Sequence, residues 1–157
     1  HSNTVAQISG GPKIEADGRL ELNLGTDIFT LTGKADRIDE YMNDEISIID
    51  FKSGKPPTKP QVMSGLEPQL PLLGLIAQKG QFEGLARHRK PTDFTYIRIG
   101  TDFEISTIAD GDEAQTLIDA TEAGLLTLLK AFADPNHPYL NAPRPERLKY
   151  EFEYNRL

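Results

Sequence analysis

The chain has 157 residues, 38% of them apolar and 26% charged, a formal net charge of −7 and no cysteine. That length suffices for one domain with its own core, and the lack of cysteine excludes disulfides, thiolate zinc sites, iron–sulfur clusters and a cysteine nucleophile. The acidic balance argues against a general binder of nucleic acid or anionic membrane, and no apolar run has membrane-spanning length or the layout of a signal peptide, so a cytoplasmic protein without a membrane partner is expected.

In chain order, residues 1–18 read as an irregular lead-in with a short strand around Ile14. From Arg19, Leu20, Leu22 and Leu24 alternate with polar residues, the period-two mark of a half-buried strand. After the turn "GTD", residues 28–41 read as a long second strand, "MND" turns again, and residues 45–53 are a third. Turns this short make neighbouring strands antiparallel, which gives a meander. The prolines of "GKPPTKP", residues 54–60, predict a loop. A helix follows over 68–78, with Leu70, Leu73 and Ala77 on one face and Pro71 tolerated in its first turn. "DFTYIRIG" from Asp93 and "FEISTIA" from Phe103 predict a further hairpin. A last helix carries Ala114, Leu117, Ile118, Thr121, Leu125, Leu128, Leu129 and Phe132 at helical spacing, with Asp110 and Glu113 as its capping box. The class is α/β, of the mixed α+β kind: a mixed sheet with an antiparallel meander, flanked by helices. Residues 1–157 read as a single domain, and the start at His1 and the tail "KYEFEYNRL" suggest a piece of a larger protein.

The chemistry concentrates in "GKADRID", residues 33–39, and "ISIIDFKSG", residues 46–54. Asp50 and Lys52 lie two apart on a strand and so share a face. Asp36, on the adjacent antiparallel strand, comes level with Asp50 across a tight turn near Asn43. Oxygen ligands without cysteine or a close histidine pair suit magnesium or manganese rather than zinc. Such an ion would neutralise the carboxylates, lower the pKa of a bound water and stabilise charge growing on a phosphate, with Lys52 as a second cation. The bland alternative is strong for Asp-x-Lys alone, which chance supplies in roughly every second or third chain of this size and which on a surface is a weak salt bridge. Asp36 and the apolar run "ISIID" raise this instance above that background. Cations cluster at Lys52, Lys55 and Lys59, at Arg87 to Lys90, and at Arg144, Arg147 and Lys149. Each cluster alone reads as solvated charge, and together they leave room for a local basic path on an acidic body.

In order and spacing, "GKADRID", "IIDFKSG" and "EPQLPLLGLIA" resemble the signature of RecB-like nucleases of the PD-(D/E)xK superfamily. More narrowly, these motifs and "PYLNAPRP" resemble the C-terminal nuclease domain of AddB, a bacterial helicase–nuclease subunit of double-strand break repair. The specific part covers Gly33 to Ala77. The resemblance implies a restriction-endonuclease-like fold and a Mg2+- or Mn2+-dependent deoxyribonuclease, an exonuclease within an AddAB/RecBCD-type assembly. DNA and an AddA-type helicase subunit would be its partners, in repair and recombination. It makes Asp36 and Asp50 the metal-binding aspartates, Lys52 the catalytic lysine and the Phe51 carbonyl a further metal ligand. Gln69, with Lys55, would organise the site and the DNA backbone. Arg37 and Asp39 match the motif and are expected to pair on the reverse face.

Three departures accompany the likeness. Leu73 stands where the motif has a tyrosine, no N-terminal helix with a metal ligand is evident before Gly10, and the cysteines of an iron–sulfur staple are lacking. Glu15 is either a partial substitute ligand or a solvent-facing strand residue. Two other readings therefore stay open: a nuclease-fold scaffold or DNA guide without catalysis, and an unrelated mixed α/β binding domain. "GGPK" and "SGK" do not have P-loop spacing, His88 and His137 have no catalytic partners at recognisable spacing, and Tyr96, Tyr139, Tyr150 and Tyr154 read as core or rim aromatics.

Overall fold

The computed structural model describes residues 12–25, 27–65, 67–85, 89–100, 103–133 and 150–156, the backbone alone from 132 onward. Three long strands come first: β1 (Lys13–Leu24), β2 (Asp27–Glu40) and β3 (Glu45–Lys52). Leu20 pairs with Leu31 and Leu22 with Phe29, and all four side chains are buried. The leucine alternation thus fixes the register, because a slip of one residue would turn these side chains to the other face. Gly25, at φ +81°, makes the first turn, where its N–H donates to Asn23 Oδ1 at 3.0 Å. Asp44, at φ +65°, closes the second. The expected meander is therefore present, but β1 begins at Lys13, so residues 13–18 are strand rather than irregular lead-in.

After β3 come two helices, α1 (Lys59–Met63) and α2 (Gln69–Lys79), then a two-residue strand β4 (Gln81–Phe82), β5 (Lys90–Arg98), β6 (Glu104–Asp110), α3 (Asp112–Ala133) and β7 (Tyr150–Arg156). Part of the predicted loop 54–60 is helical, because Thr58 and Gln61 form a capping box and Pro60 sits in the first turn, where its lack of an N–H costs nothing. The hairpin strand expected from Asp93 starts three residues earlier, at Lys90. Asp110 does not cap α3, since it is still in β6 and Gly111, at φ +55°, turns the chain before Asp112. Of the apolar residues assigned to the face of α3, Leu128 is exposed.

The sheet runs β4-β1-β2-β3-β5-β6, antiparallel except for the parallel pair β3 and β5. Residues 70–77 of α2 are all buried, the mark of a helix enclosed on every side. It lies across the sheet and packs against α3, which itself contacts β5 and β6. No helix among the described residues is long and apolar enough to cross a membrane. "PYLNAPRP", His88, His137 and Tyr139 lie outside the described residues, as do Arg87, Arg144, Arg147, Lys149 and everything before Pro12.

Candidate active site

β1 holds one edge of β2 along most of its length. The other edge is shared: β7 pairs with residues 27–33 and β3 with residues 37–40. Residues 34–36 lie between, where β3 and β7 part. The inward-facing parity of β2 also changes there, since Leu31 and Ala35 are fully buried on one side of the break and Ile38 on the other. Across the β1 ladder the same point falls on Glu15, at φ +50° and exposed. Asp36 sits at this irregularity.

The pairing of Arg37 with Ile49, continued by one residue, sets Asp36 opposite Asp50. The Phe51 N–H donates to Asp36 Oδ2 at 2.9 Å, so the carboxylate fastens the end of β3 beyond the last β2–β3 pair. Asp50 continues the helix-facing row of Ile46 and Ile48 and is 1% exposed. Lys52 follows on that face, with Nζ 3.0 Å from Asp50 Oδ2 and donating to Gln69 Oε1 at 3.2 Å. Gln69 is the first residue of α2, and its side-chain oxygen is turned to Lys52. The helix start and the strand end thus meet on one ammonium. Sequence spacing anticipated the convergence of Asp36, Asp50 and Lys52, and Gln69 was expected there only from the family resemblance.

A fifth member comes from the parallel strand. Tyr96 pairs with Asp50, and its ring lies under the ammonium, 5.7 Å from Lys52 Nζ to the centroid, within cation–π range. Tyr96 is fully buried and its hydroxyl has no hydrogen-bond partner among the described residues. Burial above all, then the charges of Asp50 and Glu67, hold this phenol well above its ordinary pKa, so it stays protonated. Tyr96 reads from sequence as a core or rim aromatic, and it lies in the core; its place against Lys52 depends on a pairing 46 residues apart, which no local pattern reveals. Glu67 opens the motif "EPQLPLLGLIA" but was not singled out from the sequence.

The reverse face is separate and polar. Arg37 donates to both oxygens of Asp39, at 2.8 and 3.1 Å, the pairing expected of them. Nearby, Asp93 accepts from Ser47 and Thr95. Lys55 is exposed and lies beside Lys59 and Arg98 rather than on Asp50.

Among the described residues no three carboxylate or imidazole side chains gather at metal-ligand spacing, and Glu15 does not join Asp36 and Asp50. The residues present nevertheless fit a hard divalent cation. Two facing carboxylates and a carbonyl are all oxygen donors, magnesium ordinarily takes one or two carboxylates and keeps several waters, and the carboxylate pair outweighs the single Lys52 charge in a site where Asp50 is buried.

The chain is 37% identical over 68 residues to an uncharacterized protein of Rickettsia felis, covering 43% of this chain and 8% of that protein. It is 32% identical over 96 residues to an uncharacterized Rickettsia typhi protein, covering 60% and 11%. The chain thus spans about a tenth of the length of the curated relatives it matches. The crystal structure of SSO0001 aligns at 15% identity and a TM-score of 0.44, over 74% of this chain and 50% of that one. Residues 6–144 match the PD-(D/E)XK nuclease superfamily, and the chain belongs to it.

Proposed function

We propose that this domain hydrolyses phosphodiester bonds of DNA, with Asp36, Asp50 and the Phe51 carbonyl holding a magnesium-class ion and Lys52 as the catalytic cation. The observation that carries the reading is the position of Lys52 Nζ, 3.0 Å from Asp50 Oδ2, held by Gln69 at 3.2 Å and by the face of Tyr96. An ammonium fixed on three sides needs little reorganisation when charge develops beside it, which is what electrostatic stabilisation of a phosphoryl transition state requires. When bound, the ion supplies an acidified water and neutralises phosphate charge. Asp50 and Gln69 aim Lys52, Asp36 fastens the end of β3, and Gln69 ties that strand end to α2. Contacts to phosphates make the activity indifferent to base sequence and sensitive to salt.

At a finer level, the AddB-like motifs favour an exonuclease in an AddAB/RecBCD-type machine, with an AddA-type helicase feeding it a strand during break repair. Relatives in which the matched part is 8–11% of the length suit a nuclease unit within a much larger protein. The test is degradation of end-labelled DNA in magnesium or manganese by the chain and by Lys52→Ala and Asp50→Ala. Each substitution should lower the rate by about 10²-fold or more. Activity indifferent to both would remove the assignment, and no cleavage by any form, with no metal binding by calorimetry, would leave the non-catalytic scaffold.

A further inference from the structure

We propose that β6 pairs antiparallel with β6 of a second copy of this chain, about a two-fold axis through Ile105 and normal to the sheet, so that two sheets join into one. The inference is independent of the nuclease reading. β6 is the last strand of the sheet, and its outer row of backbone N–H and C=O groups has no strand partner among the described residues. Open edges are commonly blunted by lysine or proline; residues 103–110 contain neither. On the helix side, residues 55–59 stand off β6 across a cleft of about 570 Å³, which leaves the edge open.

Alternation decides what each face of that edge offers. Arg98, the partner of Lys52 in β3, and its own partner Glu104 lie on the side of the candidate site. Ile97 and its partner Ile105 point to the reverse side, as do Thr95 and Thr107, whose hydroxyls meet at 3.3 Å. No described helix covers that side of β6: Ile105 is 70% exposed and Phe103, two residues before it, 79%. Phe51, Ile97 and Ile105 are register partners across β3, β5 and β6, an apolar row that stops at the open edge.

A second copy completes this row, and the charges select its register. Residues opposite one another on antiparallel strands share a face, so a symmetric pairing sets its axis on a residue. The ladder to β5 is regular from Glu104 to Thr107 and slips at Ile108. An axis at Ser106 or Thr107 would set this regular stretch against the irregular one, and at Thr107 it would also bring Glu104 opposite Asp110. An axis at Glu104 would place two carboxylates face to face, which is destabilising. At Ile105 these conflicts vanish: Glu104 faces Ser106 of the second copy, Phe103 faces Thr107, and the row continues from Ile105 into the second copy's Ile105, Ile97 and Phe51. Residues 103–107 carry the single charge of Glu104, so two chains of net charge −7 can meet here without opposing like charges.

The chain has no cysteine, so an introduced one reports the register. Ile105→Cys should give a disulfide-linked dimer on mild oxidation, since facing residues have Cα atoms about 4.5–5.5 Å apart, within disulfide range. Phe103→Cys should not, because its two copies would lie four residues apart along the strands, about 13 Å, whereas Phe103→Cys combined with Thr107→Cys should. Without oxidant, sedimentation velocity of the unaltered chain from micromolar to millimolar concentration should show a monomer–dimer equilibrium. Ile105→Lys, which changes an exposed side chain, should raise the dissociation constant by about tenfold or more at unchanged Tm. A chain monomeric throughout would overturn the proposal and leave the edge to a strand of another protein. Crosslinking of Phe103→Cys as fast as Ile105→Cys, or a dimer that Ile105→Lys leaves intact, would place the contact elsewhere and overturn it as well.

Discussion

At Asp50 a carboxylate is almost wholly buried, and the groups around it explain how the chain tolerates that. The neighbouring ammonium compensates the charge at 3.0 Å, whereas the Tyr96 hydroxyl beside it has no partner among the described residues. A buried unpaired hydroxyl costs about 1–3 kcal/mol, so Tyr96→Phe should leave stability unchanged or raise it by up to about 1 kcal/mol, measured by urea unfolding. A fall in DNA cleavage in the same variant would mark the hydroxyl as part of the site, because packing is retained. On the reverse face Asp93 gives a pH signature. Burial pushes its carboxyl above the ordinary 3.8, while hydrogen bonds from Ser47, Thr95 and Tyr41 oppose the rise. Between 3.8 and the raised value the native state holds the proton more firmly than the unfolded chain, so this group's contribution to stability falls as pH rises through that window. Asp93→Asn removes the titration. Unfolding of wild type and variant from about pH 3.5 to about pH 7 should show the variant gaining relative to wild type as pH rises, then levelling.

At the level of elements, the two long helices use glycine in opposite ways. In α2, a Cβ on Gly74 would lie 2.6 Å from Phe94 Cζ and 3.1 Å from Ile118 Cδ1, and both neighbours are fully buried. Gly74 lets the helix approach β5. In α3, a Cβ on Gly124 would meet nothing within 4 Å. The same substitution should therefore change sign: Gly74→Ala loses about 1–2 kcal/mol, overpacking exceeding the helix preference for alanine, whereas Gly124→Ala gains about 0.5–1 kcal/mol. Thermal unfolding of the two variants checks both. Legibility of the fold followed range. The β1–β2–β3 meander and the helix α2 could be read because alternation and helical spacing are local, and with them came Asp36, Asp50 and Lys52; Gln69 came only through the family resemblance, and spacing gave α2 one apolar face where residues 70–77 are all buried. The parallel pairing of β3 with β5 and the return of β7 to β2 leave no local trace, so Tyr96 against Lys52, Arg98 beside it, and the strand in "KYEFEYNRL" were not readable. The short helix α1 was obscured by Pro60 and the two prolines before it, since proline marks a helix start as readily as a loop.

For the molecule as a whole, charge separates a specific cation site from general screening. A chain of net charge −7 gains some stability from any salt, since self-repulsion weakens. An ion held by Asp36 and Asp50 adds a contribution that depends on those two side chains, because binding to the native state alone stabilises by about 2.7 kcal/mol at a hundred times Kd. For a domain of this size 1 kcal/mol corresponds to about 2–4 °C in Tm. Magnesium at saturating concentration should therefore raise Tm by several degrees beyond sodium chloride of matched ionic strength, and Asp50→Ala should retain the sodium response while losing the magnesium excess. The comparison is made within each protein, so the variant's own change in stability cancels. An equal response to the two salts, or a magnesium excess that survives in Asp50→Ala, would mean that the carboxylate pair does not hold the ion. Lys52 would then be the principal counter-charge of Asp50, and the convergence of β2, β3 and α2 would be a structural ion-pair centre.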